Sequence, residues 1–156
     1  MAEIEVLLEG YKRFYARNSQ AGGSFFQNLA TNGQPTKTLV IACSDSRVDP
    51  SIITDSSPGD IFVIRNVANI VPPYQENYDS YHGTSAAIEF ALNNLKVKNI
   101  IIMGHSRCAG IHALLYSTIA PGKNNYIQAW VNIVEQARNK VLKEHFASED
   151  ERLSCC

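Results

Sequence analysis

Apolar positions in the first fifteen residues, Ile4, Leu7, Leu8, Tyr11, Phe14 and Tyr15, recur at helical spacing with Glu and Lys between them, so the chain is predicted to open on an amphipathic helix. Gly22-Gly23 breaks it; Phe25, Phe26 and Leu29 then suggest a short helix, and Asn32-Gly33-Gln34-Pro35 a turn into a first strand at about 38–42. Pro58-Gly59-Asp60 introduces a second strand, Ile61 to Ile64, after which Arg65-Asn66-Val67-Ala68-Asn69 leaves the sheet. Val71-Pro72-Pro73-Tyr74 cannot sit in a helix interior or a central strand. From Thr84 the positions Ala87, Ile88, Ala91, Leu92 and Leu95 are helical, and residues 99–103 are too apolar and β-branched for anything but a buried strand. Ile127, Trp130, Val131, Val134, Ala137, Val141 and Leu142 form one stripe of a long helix.

Strand, helix and strand in that order make a βαβ unit. The expected fold is therefore α/β, a mostly parallel central sheet flanked by helices, with an N-terminal helical arm of about residues 1–30. No repeat, low-complexity segment or linker interrupts residues 1–156, which predicts one domain. In such sheets ligands bind beyond the carboxyl ends of the strands.

Charge narrows the partners. Fourteen Lys and Arg against fifteen Asp and Glu give a formal charge of −1 with no basic block, which argues against nucleic acid. Apolar runs fall far short of the ~20 residues of a membrane helix. Met1-Ala2-Glu3-Ile4-Glu5 lacks the basic start of a signal peptide, so a cytoplasmic protein with no membrane partner is expected. Four cysteines in such a chain point to metal or catalysis before disulfides. Cys155 and Cys156 have no companion ligands and carry no predicted role.

Cys43-Ser44-Asp45-Ser46-Arg47 follows the apolar run Leu39-Val40-Ile41-Ala42, and His105-Ser106-Arg107-Cys108 follows Ile100-Ile101-Ile102-Met103-Gly104. Either cluster alone is weak, since a buried Cys after a strand is usually an inert small hydrophobe. Parallel strands can deliver both to one point. Two thiols and one imidazole suit Zn2+, and three protein ligands leave a fourth position open, as catalytic sites require.

Three blocks, Cys43-x-Asp45-x-Arg47, Arg65-Asn66-Val67-Ala68-Asn69 and Gly104-His105-Ser106-x-Cys108-x-Gly110, resemble in order the signatures of the plant-like β-class carbonic anhydrases, and the resemblance extends from about Phe25 to the C-terminus. It implies one zinc per chain on Cys43, His105 and Cys108, with Asp45 and Arg47 as a carboxylate–guanidinium pair. It further implies that Gln34 hydrogen-bonds substrate and that Phe62 and Val67 line an apolar pocket. Phe90 stands where plant-like relatives often carry Tyr, which removes a hydroxyl. Val40 stands where a bicarbonate-inhibited bacterial form needs Trp, so that regulation is not expected. Relatives build the active site at a dimer interface embraced by N-terminal helices, which implies a homodimer or higher homo-oligomer, and the stripe from Ile4 to Tyr15 suits that role.

The implied reaction is the reversible hydration of carbon dioxide to bicarbonate and a proton by attack of zinc-bound hydroxide. A bound-water pKa of about 7 is the value for a carbonic anhydrase with a three-histidine site. Two thiolates make the zinc a weaker acid, so another group must hold the hydroxide productively. Clamped by Arg47, Asp45 would stay ionised and orient it; released, Asp45 would become the fourth zinc ligand and close the site. Alternatives are a carbon disulfide or carbonyl sulfide hydrolase of the same fold, or an inactive zinc-binding fragment. His112 is a weak candidate proton relay; His82 and His145 have no evident chemistry, and nothing supports Ser44 or Ser46 as nucleophiles. Ser148-Glu149-Asp150-Glu151 is a capping box opening a new helix. Relatives continue through that helix and a further edge strand, so the expectation is a truncated form with an uncovered, association-prone sheet edge.

Overall fold

A computed structural model describes residues 3–20, 24–76, 82–116 and 125–155. It divides into two compact units, Met1–Pro35 and Thr36–Cys156. In the first, helix α1 (Glu3–Gln20) carries Glu3 and Glu5 in its first turn and Arg17 in its last, the arrangement its dipole favours. Helix α2 (Ser24–Asn32) follows; the expected break at Gly22-Gly23 lies outside the described residues. Phe14 and Phe25 both meet Phe26 edge-on at 5.4 Å. Of the apolar stripe of α1, Ile4, Leu7, Tyr11 and Tyr15 are 60–68% exposed. Gln34 is exposed and follows Gly33, whose φ of +78° is the left-handed conformation a glycine accepts.

In the second unit, strands β1 (Thr38–Cys43), β2 (Ile61–Asn66) and β3 (Asn99–Met103) form a parallel sheet in the order β2-β1-β3. Flanked by a strand on each side and covered on both faces, the central strand can be apolar from Leu39 to Cys43, residues that are no more than 5% exposed. Leu39 and Ile41 pack with Ile64 and Ala91 under helix α4 (Gly83–Asn93), joined by Ala87 and Ile88. A second cluster gathers Cys43, Val48, Ala68, Ile70, Cys108, Leu114 and Val131 at the carboxyl ends of the strands. No described helix is long and apolar enough to cross a membrane.

Three expectations need correction. β2 does not end before Arg65: Arg65 and Asn66 stay paired with Ala42 and Cys43. β3 is not buried, because it pairs among the described residues with β1 alone and forms the sheet edge, leaving Ile100, Ile101 and Ile102 between 48% and 59% exposed. The long C-terminal helix is broken into α6 (Tyr126–Val131), a 3-10 turn at Asn132–Val134 and α7 (Glu135–Val141). Its halves dock on different carbonyls: Trp130 Nε1 donates to Val67 O (2.7 Å), while Arg138 Nη2 donates to Leu115 O (3.4 Å). Val134, at φ −107° and ψ 25°, takes up the change of direction.

Helix α3 (Pro50–Ile53) and helix α5 (Ala109–Tyr116) lead away from the ends of β1 and β3. Helix α8 (Glu149–Cys155) starts on the expected capping box, Glu151 N–H donating to Ser148 Oγ (3.1 Å). The return bond reaches one residue further back, from Ala147 N–H to the Glu151 carboxylate (2.6 Å).

After β2 the chain turns sharply at Val67–Asn69, with Ala68 at φ +64°. The Asn66 side chain holds that turn, its Nδ2 donating to Ile70 O and its Oδ1 accepting from Ile70 N–H, both at 2.9 Å. Gly110 of α5 lies so close to the turn that a Cβ there would meet Val67 Cγ1 at 2.8 Å and Ala68 Cβ at 2.9 Å. Gly110→Ala should therefore push α5 off the turn and cost about 1–3 kcal/mol by urea unfolding, an overpacking penalty; an unchanged midpoint would mean the two elements separate freely.

Candidate metal centre

The parallel register determines what meets at the strand ends. Cys43 is the last residue of β1, opposite Asn66, and Ser44 N–H donates to Asn66 O (2.9 Å) as the chain leaves the sheet. β3 ends at Met103, opposite Ala42, so His105 emerges beside Cys43. The backbone then reverses through Arg107 at φ +54°, an unusual conformation for a residue with a side chain, and returns Cys108 to the first turn of α5. One ligand atom each from Cys43, His105 and Cys108 lie within 4.8 Å of one another.

The donor set fits zinc. The two sulfurs are 3.8 Å apart, well beyond the ~2.05 Å of a disulfide. Two sulfurs each ~2.3 Å from a tetrahedral ion stand at about that separation. His105 Nδ1 lies 3.0 Å from Ser106 O; with the proton on Nδ1 as donor, Nε2 presents a lone pair, and Nε2 is buried with no hydrogen-bond partner. Burial pushes the Cys43 thiol up, but hydrogen bonds, the largest from the backbone N–H of Asp45, more than offset it and hold the thiol below its ordinary value. Cys108 is raised: burial dominates, the neighbouring Cys43 charge adds to it, and the N–H groups of Ile111 and Gly110 only partly compensate.

Beside the cluster, Arg47 grips Asp45 through three hydrogen bonds, with Nε and the backbone N–H donating to Oδ1 (both 2.9 Å) and Nη2 to Oδ2 (2.8 Å). These bonds hold the Asp45 carboxyl well below the usual carboxylate range and raise Arg47. Asp45 is not among the gathered ligand atoms. A second arginine, Arg65, fixes the loop backbone, its Nε donating to Cys43 O (3.0 Å), Nη2 to Asp45 O (2.6 Å) and Nη1 to Asp49 Oδ2 (2.9 Å). Asp49 in turn caps α3 through the N–H groups of Ser51 and Ile52.

Val67 stands at the start of the adjoining turn, 41% exposed, with its carbonyl held by Trp130. Phe62, which packs against the cluster under α4, meets Phe90 with ring centroids 5.8 Å apart. Phe62 precedes by four positions the residue opposite Cys43, ~13 Å along the strand at ~3.3 Å per residue, so the chain does not bring it to its own cluster. Gln34 belongs to the first unit. His112 lies one turn past Cys108 with its ring against Tyr116, at 4.8 Å between centroids. His82 borders an open cavity of ≈ 410 Å³ shared with Val67, Tyr126 and Trp130. His145, Ser44 and Ser46 are exposed. Arg65, Asp49 and Trp130 had no assigned part in the site from sequence, although an Arg at the end of a parallel strand is itself a signal that carbonyls or carboxylates lie nearby.

Residues 38–156 match the model of the carbonic anhydrase family. The chain is 36% identical to β carbonic anhydrase 3 of Arabidopsis thaliana, across 97% of its own length and 59% of that protein's. Among solved structures it is similar to the β-carbonic anhydrase CcaA, with 37% identity, a TM-score of 0.85 and coverage of 97% of this chain and 67% of that one. A tetrameric β-carbonic anhydrase of Sordaria macrospora matches with 32% identity and a TM-score of 0.79, over 98% of this chain and 74% of that one. The chain belongs to the β-carbonic anhydrase family, and it spans just under three fifths of the Arabidopsis relative.

Because Asp45 is depressed, its ion pair is present above the ordinary carboxylate range and is lost only as pH falls through the lower, folded-state value. Asp45 should therefore stay ionised from neutral to mildly acidic pH. Arg47→Ala should raise its titration part of the way back toward the ordinary carboxylate range, the backbone N–H of residue 47 still donating to Oδ1, as read by carboxyl NMR; an unmoved titration would show that the Arg47 side chain is not what holds the carboxylate.

Proposed function

We propose that this chain catalyses the reversible hydration of carbon dioxide to bicarbonate and a proton, using one zinc ion held by Cys43, His105 and Cys108. The observation that carries the reading is the convergence of three donor atoms within 4.8 Å beside an aspartate clamped in its ionised form. Family membership supplies the reaction class. Zinc would supply a Lewis acid able to ionise water near neutral pH. The remaining work falls to the chain's own groups. Asp45, kept anionic by Arg47, accepts a hydrogen bond from the attacking O–H and so aims its lone pair at carbon. Val67 offers an apolar wall for a substrate with no charge, and the Gln34 amide is assigned to a bicarbonate oxygen.

Phe62 and Phe90 stand away from the cluster of their own chain, and α1 keeps an exposed apolar stripe. Both support a homo-oligomer in which a second copy completes the substrate pocket and covers α1.

Stopped-flow hydration assays paired with metal analysis test the reading. Cys108→Ser should lose zinc and activity together. Asp45→Asn should keep zinc and lose roughly 100-fold or more in rate, the scale of a lost proton-handling group. Gln34→Ala should lower kcat/KM with zinc retained. A fully zinc-loaded chain without hydration activity would overturn the proposal.

A further inference from the structure

Arg107 interrupts the metal-binding segment between His105 and Cys108, and its backbone sits in the left-handed region at φ +54°. Such a conformation is unfavourable for a residue with a side chain and persists only where its surroundings hold it. What holds it comes largely from α8, more than forty residues further along the chain. Arg107 N–H donates to Leu153 O (3.1 Å), and its Nη2 donates to Asp150 Oδ1 (2.6 Å). Its carbonyl accepts from Arg47 Nη2 at 3.5 Å, the same nitrogen that grips Asp45. Arg107 thus shares partners with the helix on one side and with the Asp45 clamp on the other. The helix itself is short, but its start is fastened by Ser148 and Glu151 and by Arg152 N–H on Ser148 O (3.2 Å). The Arg107–Asp150 ion pair is exposed at 62% and 68%, so on its own it would add little to global stability. Its effect is local, on where the loop puts His105 and Cys108.

We infer that Arg107 is a positioning residue and α8 a latch on the metal-binding loop, the two together setting how long a metal ion is retained and how the ligands are arranged around it. The inference rests on the zinc site proposed above, but its readout does not depend on turnover. With the full chain loaded with zinc, release to a chromophoric chelator is timed; with cobalt in its place, the thiolate and d–d absorption bands report ligand geometry.

Asp150→Ala should release zinc about 10-fold faster, the lower end for outer ligand-orienting partners, with shifted cobalt bands and an almost unchanged unfolding midpoint. Asp150→Glu should restore part of the retention. Arg152→Pro, which removes the first helical bond of α8, should release zinc faster still. Wild-type release rates and cobalt spectra in both Asp150→Ala and Arg152→Pro would overturn the latch while leaving the metal site intact. A chain that takes up neither zinc nor cobalt would overturn the metal site and the latch together.

Discussion

Everything at the metal centre depends on the parallel register of three strands. With β1 in the middle, Cys43, Asn66 and Met103 reach the same edge of the sheet at nearly the same level, and each hands the chain to a turn with a different task. The turn after β1 carries Asp45, the turn after β2 presents Val67 and the N–H of Ala68, and the turn after β3 brings His105 and Cys108 to Cys43. A shift of one residue in any strand would send its side chains to the opposite face and disperse the donors. In the observed register Leu39 and Ile41 pack with Ile64 and Ala91 under α4.

Around that frame, two arginines divide the electrostatic work. Arg65 binds carbonyls and a capping carboxylate, and so sets backbone shape; Arg47 binds the side chain of Asp45, and so sets charge. A guanidinium suits both tasks because its donors are fixed in a plane and it never loses its proton. The thiols show the complementary arrangement. Backbone N–H groups favour the anionic form of Cys43, while burial resists a second negative charge at Cys108.

Much of this was legible in the residues. Three strands, the opening helices and both ligand clusters stand out because each has a short-range signature: an apolar run, a 3.6-residue stripe, a turn dipeptide. The differences come where long-range context decides. Ile100 to Ile102 look like a buried strand, yet burial depends on what lies beside β3, and no local pattern reports that. The stripe from Ile127 to Leu142 is continuous in sequence, but Trp130 and Arg138 seek carbonyls on separate elements and the helix bends between them. Phe62 and Phe90 illustrate the same point, since a resemblance can single out both residues without saying that they meet each other away from the cysteine cluster of their own chain. Arg65 and Asp49 went unassigned because their partners are backbone atoms and a helix cap, contacts that leave no periodic trace.

The separation of Cys43 and Cys108 by 65 positions has a further consequence. An ion bound to both thiolates is a cross-link between the ends of β1 and β3, closing a loop that contains all of β2 and α4. Like any such staple, it restricts the unfolded ensemble and would favour the native chain by an amount that grows with free metal concentration. The sheet would then be less a scaffold carrying a cofactor than a ring fastened by one, and scarcity of the metal would register first as a softer fold.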